Sequence, residues 1–130
     1  MIFTLNLSNT SNYERFIMQA RHYLNVMPVI TYFIYVNKYG ANFECSKINN
    51  SFSIKLKIAE VMHDINGNIT QGKAIIPLSD DRFSSLSYFK SFKVDEEEGE
   101  CKLSSIEESI HFMINIVKFL KKLDKISLFI

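Results

Sequence analysis

Between Ser51 and Ile58 the chain alternates without interruption: Phe52, Ile54, Leu56 and Ile58 are apolar, and Ser51, Ser53, Lys55 and Lys57 are polar. Period two over such a stretch predicts an antiparallel strand with one buried face and one basic, solvated face. Met1–Leu7 also alternates, Phe3, Leu5 and Leu7 against Ile2, Thr4 and Asn6, and predicts a first strand with one buried face. Val29–Val36 is apolar on both faces and rich in β-branched and aromatic residues, the pattern of a central strand. Asn37–Gly40 reads as a turn, followed by a shorter strand over Ala41–Ile48 with Phe43 and Cys45 inward. The Ser51 strand is expected to continue toward Asp64-Ile65, where Asn66-Gly67 supplies a type I′ hairpin turn. Its return strand, Asn68–Ile76, stops at Pro77.

Helical periodicity occurs in two places. Ser11 and Glu14 match a capping box opening a helix to about Asn25, with Tyr13, Phe16, Ile17, Ala20 and Leu24 buried and Arg15, Gln19, Arg21 and His22 polar. A second box, Ser104 with Glu107 or Ser105 with Glu108, opens a helix to about Leu123. Ile106, Ile110, Met113, Ile114, Val117 and Leu120 form its main stripe, and Phe112, Ile116 and Phe119 make most of the circumference apolar. That spare apolar face fits either a core or a dimer contact. Leu78–Lys93 is expected to be irregular and then a short strand, and Lys125–Ile130 a closing strand. The predicted order, β-α-β-β-β-β-α-β, is an α+β fold: a mainly antiparallel sheet with two helices packed on it.

Composition agrees with one domain. The 130 residues are 47% apolar and 22% charged, a globular make-up. A chain of this length buries about two thirds of its unfolded surface. The N-terminal apolar run has no cationic leader and no cleavage site, so a cytoplasmic protein is expected. Cys45 and Cys101 lie outside any CxxC spacing and read as free thiols.

Charge changes the picture more than composition does. Residues 95–108 hold seven carboxylates (Asp95, Glu96, Glu97, Glu98, Glu100, Glu107 and Glu108) and one base, Lys102, hence a charge of −6. With fourteen acidic and fifteen basic residues in all, the remainder carries +7. Such a patch is either fully solvated or faces a cationic partner. Asp95, Glu96, Glu97, Glu98 and Glu100 imitate the charge density of a phosphate backbone, and Phe89 and Phe92 are the candidate apolar anchors beside them.

Chemistry is otherwise sparse. His22, His63 and His111 are isolated, and HExxH, GxSxG, Walker and GxGxxG motifs are absent. His63-Asp64, beside the hairpin turn, is the best local polar candidate. Asp64–Asn68 lacks the sixth-position glycine and terminal glutamate of a calcium loop. Lys38, Lys47, Lys55, Lys57 and Lys73 are candidates for a basic sheet face, but the pI of 7.7 is low for a nucleic-acid binder. Neither cofactor nor metal is expected.

The short Asn-, Lys-, Ile- and Phe-rich chain, its α+β pattern, and the apolar helix Ile106–Leu123 behind an acidic segment resemble bacterial immunity proteins of contact-dependent growth inhibition systems. The resemblance covers the whole chain and rests on no single motif. It implies a cytoplasmic, non-enzymatic antitoxin that binds the C-terminal toxin domain of its effector, often a nuclease. A phage anti-defence inhibitor of the anti-CRISPR kind, a secretion chaperone and a small enzyme with dispersed catalytic residues are the other classes open at this point.

Overall fold

The structure, a computed structural model, describes residues 1–36, 38–66, 69–70, 75–80, 83, 94 and 98–127, of which 10, 63, 69, 70 and 124–127 by backbone alone. Strand β1 (Ile2–Asn6) leads through a 3-10 turn, Thr10–Asn12, into helix α1 (Tyr13–Val26), which returns the chain to β2 (Val29–Val36), parallel to β1. Strands β2, β3 (Tyr39–Ile48) and β4 (Ser51–Glu60) form an antiparallel meander. A separate two-stranded ribbon follows, β5 (Met62–His63) with β6 (Ile69–Thr70). The chain then returns to the outer edge of β4 twice, as β7 (Ile75–Ile76) and β8 (Glu100–Leu103), before helix α2 (Ile106–Ser127). This is the expected α+β class: a sheet of mainly antiparallel pairs carrying two helices.

Strand parity divides the sheet into two unlike faces. Ile30, Tyr32, Ile34, Phe43, Ile54, Leu56, Ile58 and Leu103 are buried beneath the helices. Rings from both layers meet edge-on, Phe16 with Tyr32 at 5.3 Å and Phe43 with Phe112 at 6.2 Å between centroids. The other face carries Thr31, Phe33, Tyr35, Asn42, Glu44, Lys55, Lys57 and Lys102, and no helix among the described residues covers it. There the Phe33 ring lies on Gly40, where a Cβ would come within 2.7 Å of Cζ.

Several local expectations are corrected. Ser11 does not cap α1; Asn12 occupies the cap position without a side-chain capping bond, because the chain enters through the 3-10 turn, where Asn9 Oδ1 accepts the Ser11 N–H. Tyr39 and Gly40 belong to β3 and not to the turn. The strand beginning at Ser51 ends at Glu60, and the register Met62↔Thr70, His63↔Ile69 leaves residues 64–68 between the ribbon strands. A two-residue Asn66-Gly67 turn would pair 65 with 68, so the loop is wider than expected; Asp64 Oδ1 accepts the Asn66 N–H at 2.9 Å inside it. Gly67 and Asn68 themselves lie outside the described residues. Residues 125–127, expected to open a closing strand, are the last turn of α2, and 128–130 lie outside the description.

The spare apolar face of α2 belongs to the core. Ile110, Phe112, Met113, Ile116, Val117 and Leu120 are buried, Ile106, Ile114, Phe119 and Leu123 are partly buried against them, and the helix packs on both α1 and the sheet.

Candidate partner interface

Within the acidic run, Glu-Cys-Lys-Leu at 100–103 is not a solvated loop but strand β8: Cys101 and Leu103 enter the core while Glu100 and Lys102 lie on the open face. Glu100 stands opposite Lys55, and its Oε1 accepts the Ser53 hydroxyl at 3.1 Å. Alternation was present in these residues but was hidden by the surrounding carboxylates.

Gly99 turns the chain out of the sheet immediately before β8. Its φ is +69°, and a Cβ there would stand 2.3 Å from the Leu56 carbonyl oxygen. The Gly99 carbonyl accepts the Leu56 N–H at 2.8 Å, so the turn is part of the ladder. Glu98, one residue earlier, is exposed, and Val94 is buried in the core. The chain is thus anchored just before Asp95 and again at Gly99.

Because β7 and β8 take different halves of β4, a cleft of about 590 Å³ opens between them. Leu56, Ile75, Ile76, Pro77 and Leu78 give it apolar walls, and Glu98 and Lys57 put one charge of each sign on it. Ile75 is 63% exposed, an apolar group offered to solvent beside the acidic segment. Of the site residues expected from sequence, Glu98 and Glu100 therefore lie along this edge. Asp95, Glu96, Glu97, Phe89 and Phe92 lie outside the described residues. The apolar walls were not foreseen, since they come together only through the pairing of β7 with β4.

The last two carboxylates of the run are held within the fold. Ser105 Oγ accepts the Glu108 N–H at 3.1 Å, the expected cap, and the Ser104 hydroxyl donates to the Glu108 carboxylate. Glu107 instead takes a two-point bond from Arg21, at 2.6 and 3.0 Å, tying α1 to α2. That hydrogen-bonded guanidinium holds the Glu107 carboxyl below its usual range. The pair is exposed, so it adds little stability. A cleft of about 440 Å³ at this crossing also brings in His111, close to Glu107 and Glu108 through helix spacing alone.

The other sequence candidates do not gather. Lys55 and Lys57 share the open sheet face, whereas Lys47 lies over the Phe52 ring at 5.7 Å and Lys38 over Tyr39 at 5.6 Å; Lys73 lies outside the described residues. His22 is on α1, His111 on α2 and His63 on β5, and no group of three metal-ligating residues occurs among the described residues.

Cys45 and Cys101 are free, as expected, and both are buried. Ile54 stands between them in register, so they are two strand spacings, roughly 9.5 Å, apart and too far for a disulfide. Burial pushes the Cys45 thiol up to about 12 and Cys101 up to about 11. The native thiols therefore stay protonated while unfolded ones ionise near the ordinary value of about 8.5. Their contribution to stability is whole below that value and is lost as pH rises through about 11 and 12. Thiol alkylation at neutral pH is expected to be slow in the native protein and fast in denaturant; equal rates would contradict the burial.

No helix among the described residues is long and apolar enough to cross a membrane. Comparisons with protein-family models, with curated proteins and with solved structures found no match.

Proposed function

We propose that the protein is a non-enzymatic inhibitor that docks its acidic edge on a basic protein, as a cytoplasmic immunity protein docks on a toxin domain. The observation that carries this reading is the juxtaposition at the β4–β8 edge: an apolar cleft beside exposed Glu98, next to the left-handed turn at Gly99. An apolar pocket with the Glu98 carboxylate at its rim suits a Lys or Arg side chain, whose aliphatic stem buries while its charge pairs there. Asp95, Glu96 and Glu97, adjacent in sequence to Glu98, add the long-range field that steers such a partner. A nuclease with a cationic substrate cleft is the partner class with the matching chemistry.

Affinity capture from the native host, followed by identification of the co-purified protein, tests the partner. A toxin domain supports immunity; a nucleic-acid-handling defence complex supports the anti-defence alternative. Replacing Glu96, Glu97 and Glu98 together with lysine is expected to slow association by about tenfold or more at low salt. The difference should shrink as ionic strength rises. An association rate unchanged by the triple replacement would remove the steering role.

A further inference from the structure

We propose that β1 is a self-association edge, on which a second copy of this chain pairs its own β1 antiparallel, joining two sheets into one. The strand ends the sheet: β2 lies on one side, and no described strand lies on the other. Its residues, Ile2-Phe3-Thr4-Leu5-Asn6, include no charge and no proline. Edges of monomeric proteins are usually blunted by such residues or by a bulge. The opposite margin of the sheet, by contrast, carries Glu100 and Lys102.

Backbone direction makes the pairing self-complementary. The Met1 carbonyl accepts the Thr31 N–H at 3.0 Å, and the Leu7 N–H donates to the Tyr35 carbonyl at 3.1 Å. Odd positions of β1 therefore face β2, and the backbone groups of Ile2, Thr4 and Asn6 face the open edge. A two-fold axis at Thr4 sets Thr4 against Thr4 and Ile2 against Asn6, so the outward set maps onto itself in hydrogen-bonded pairs. The same register sets Phe3 against Leu5 on the helix side, where both are half-buried already. Asn12 Nδ2 donates to the Asn6 carbonyl at 3.3 Å, which leaves that oxygen a second lone pair for the partner. Met1 and Ile2, 62% and 73% exposed, are the apolar side chains the contact would cover. A strand this short buries less than the roughly 1,000 Å² of a tight interface, so the dimer belongs to the weak, reversible class.

Sedimentation equilibrium over a concentration series tests this on the intact chain. The wild type is expected to show a monomer–dimer equilibrium in the micromolar range. Thr4→Pro removes an outward N–H and leaves the β1–β2 ladder its donors, so a folded monomer is expected. Thr4→Lys puts two ammonium groups face to face and is expected to weaken the dimer about tenfold at low salt, less at high salt. It carries the test should the proline variant fail to fold. A wild type monomeric throughout, or a folded Thr4→Lys dimerising as well as wild type, overturns the proposal. Partner capture by the acidic edge, on the other margin of the sheet, is expected to survive Thr4→Lys, which separates the two readings.

Discussion

Gly99→Ala is expected to cost about 3 kcal/mol of folding stability or more, the sum of two penalties. The left-handed backbone at φ +69° disfavours any side chain with a Cβ. That term alone is about 1–2 kcal/mol. The new Cβ would also stand 2.3 Å from the Leu56 carbonyl oxygen. This obstacle is backbone in the middle of β4, bonded in turn to its neighbours, and cannot swing aside as a flexible side chain would. The cheapest relief is to detach β8, which uncovers Cys101 and Leu103. Urea unfolding should show a lower midpoint with little change in slope. Gly99→Asn separates the terms: asparagine tolerates left-handed backbone but carries the same Cβ, so it should recover little. A midpoint equal to wild type in Gly99→Ala would show that the backbone at Gly99 is neither left-handed nor pressed on the Leu56 carbonyl.

The turn at Gly99 also shows where sequence reading stopped. Phe52, Ile54, Leu56 and Ile58 declared β4 because a half-buried strand writes its two faces into alternate positions. The Ser105–Glu108 cap declared the start of α2 in the same local way. Parallel pairing of β1 with β2, and the division of one β4 edge between β7 and β8, are long-range choices with no local period. The acidic charge located Glu98 and Glu100 but concealed that Cys101 and Leu103 between and beyond the charges were core residues. Pro77 and Ile75 looked like a strand ending, yet the fold makes them walls of the cleft beside Glu98. Charge density was legible; the apolar cleft beside it was not.

Phe112→Ala is expected to cost about 3–5 kcal/mol, comparable with the whole net stability of a weak domain. Its ring is fully buried, and it meets Phe43 of β3 edge-on at 6.2 Å and 81°. Loss of the ring removes apolar burial, the edge-to-face attraction of about 0.5–1.5 kcal/mol, and the packing around the space it leaves. That space lies between a helix and the centre of the sheet, where β3 is held by strands on both sides and cannot collapse inward. Phe112→Leu, which keeps most of the volume, should recover a large part of the loss. Strand β8 runs directly into α2, so a loosened helix should loosen the acidic edge. Phe112→Ala is therefore expected to unfold at lower urea and, where still folded, to show faster amide exchange in Glu100–Leu103. A variant with wild-type unfolding and protected β8 amides would mean that α2 and the β4–β8 edge are independent.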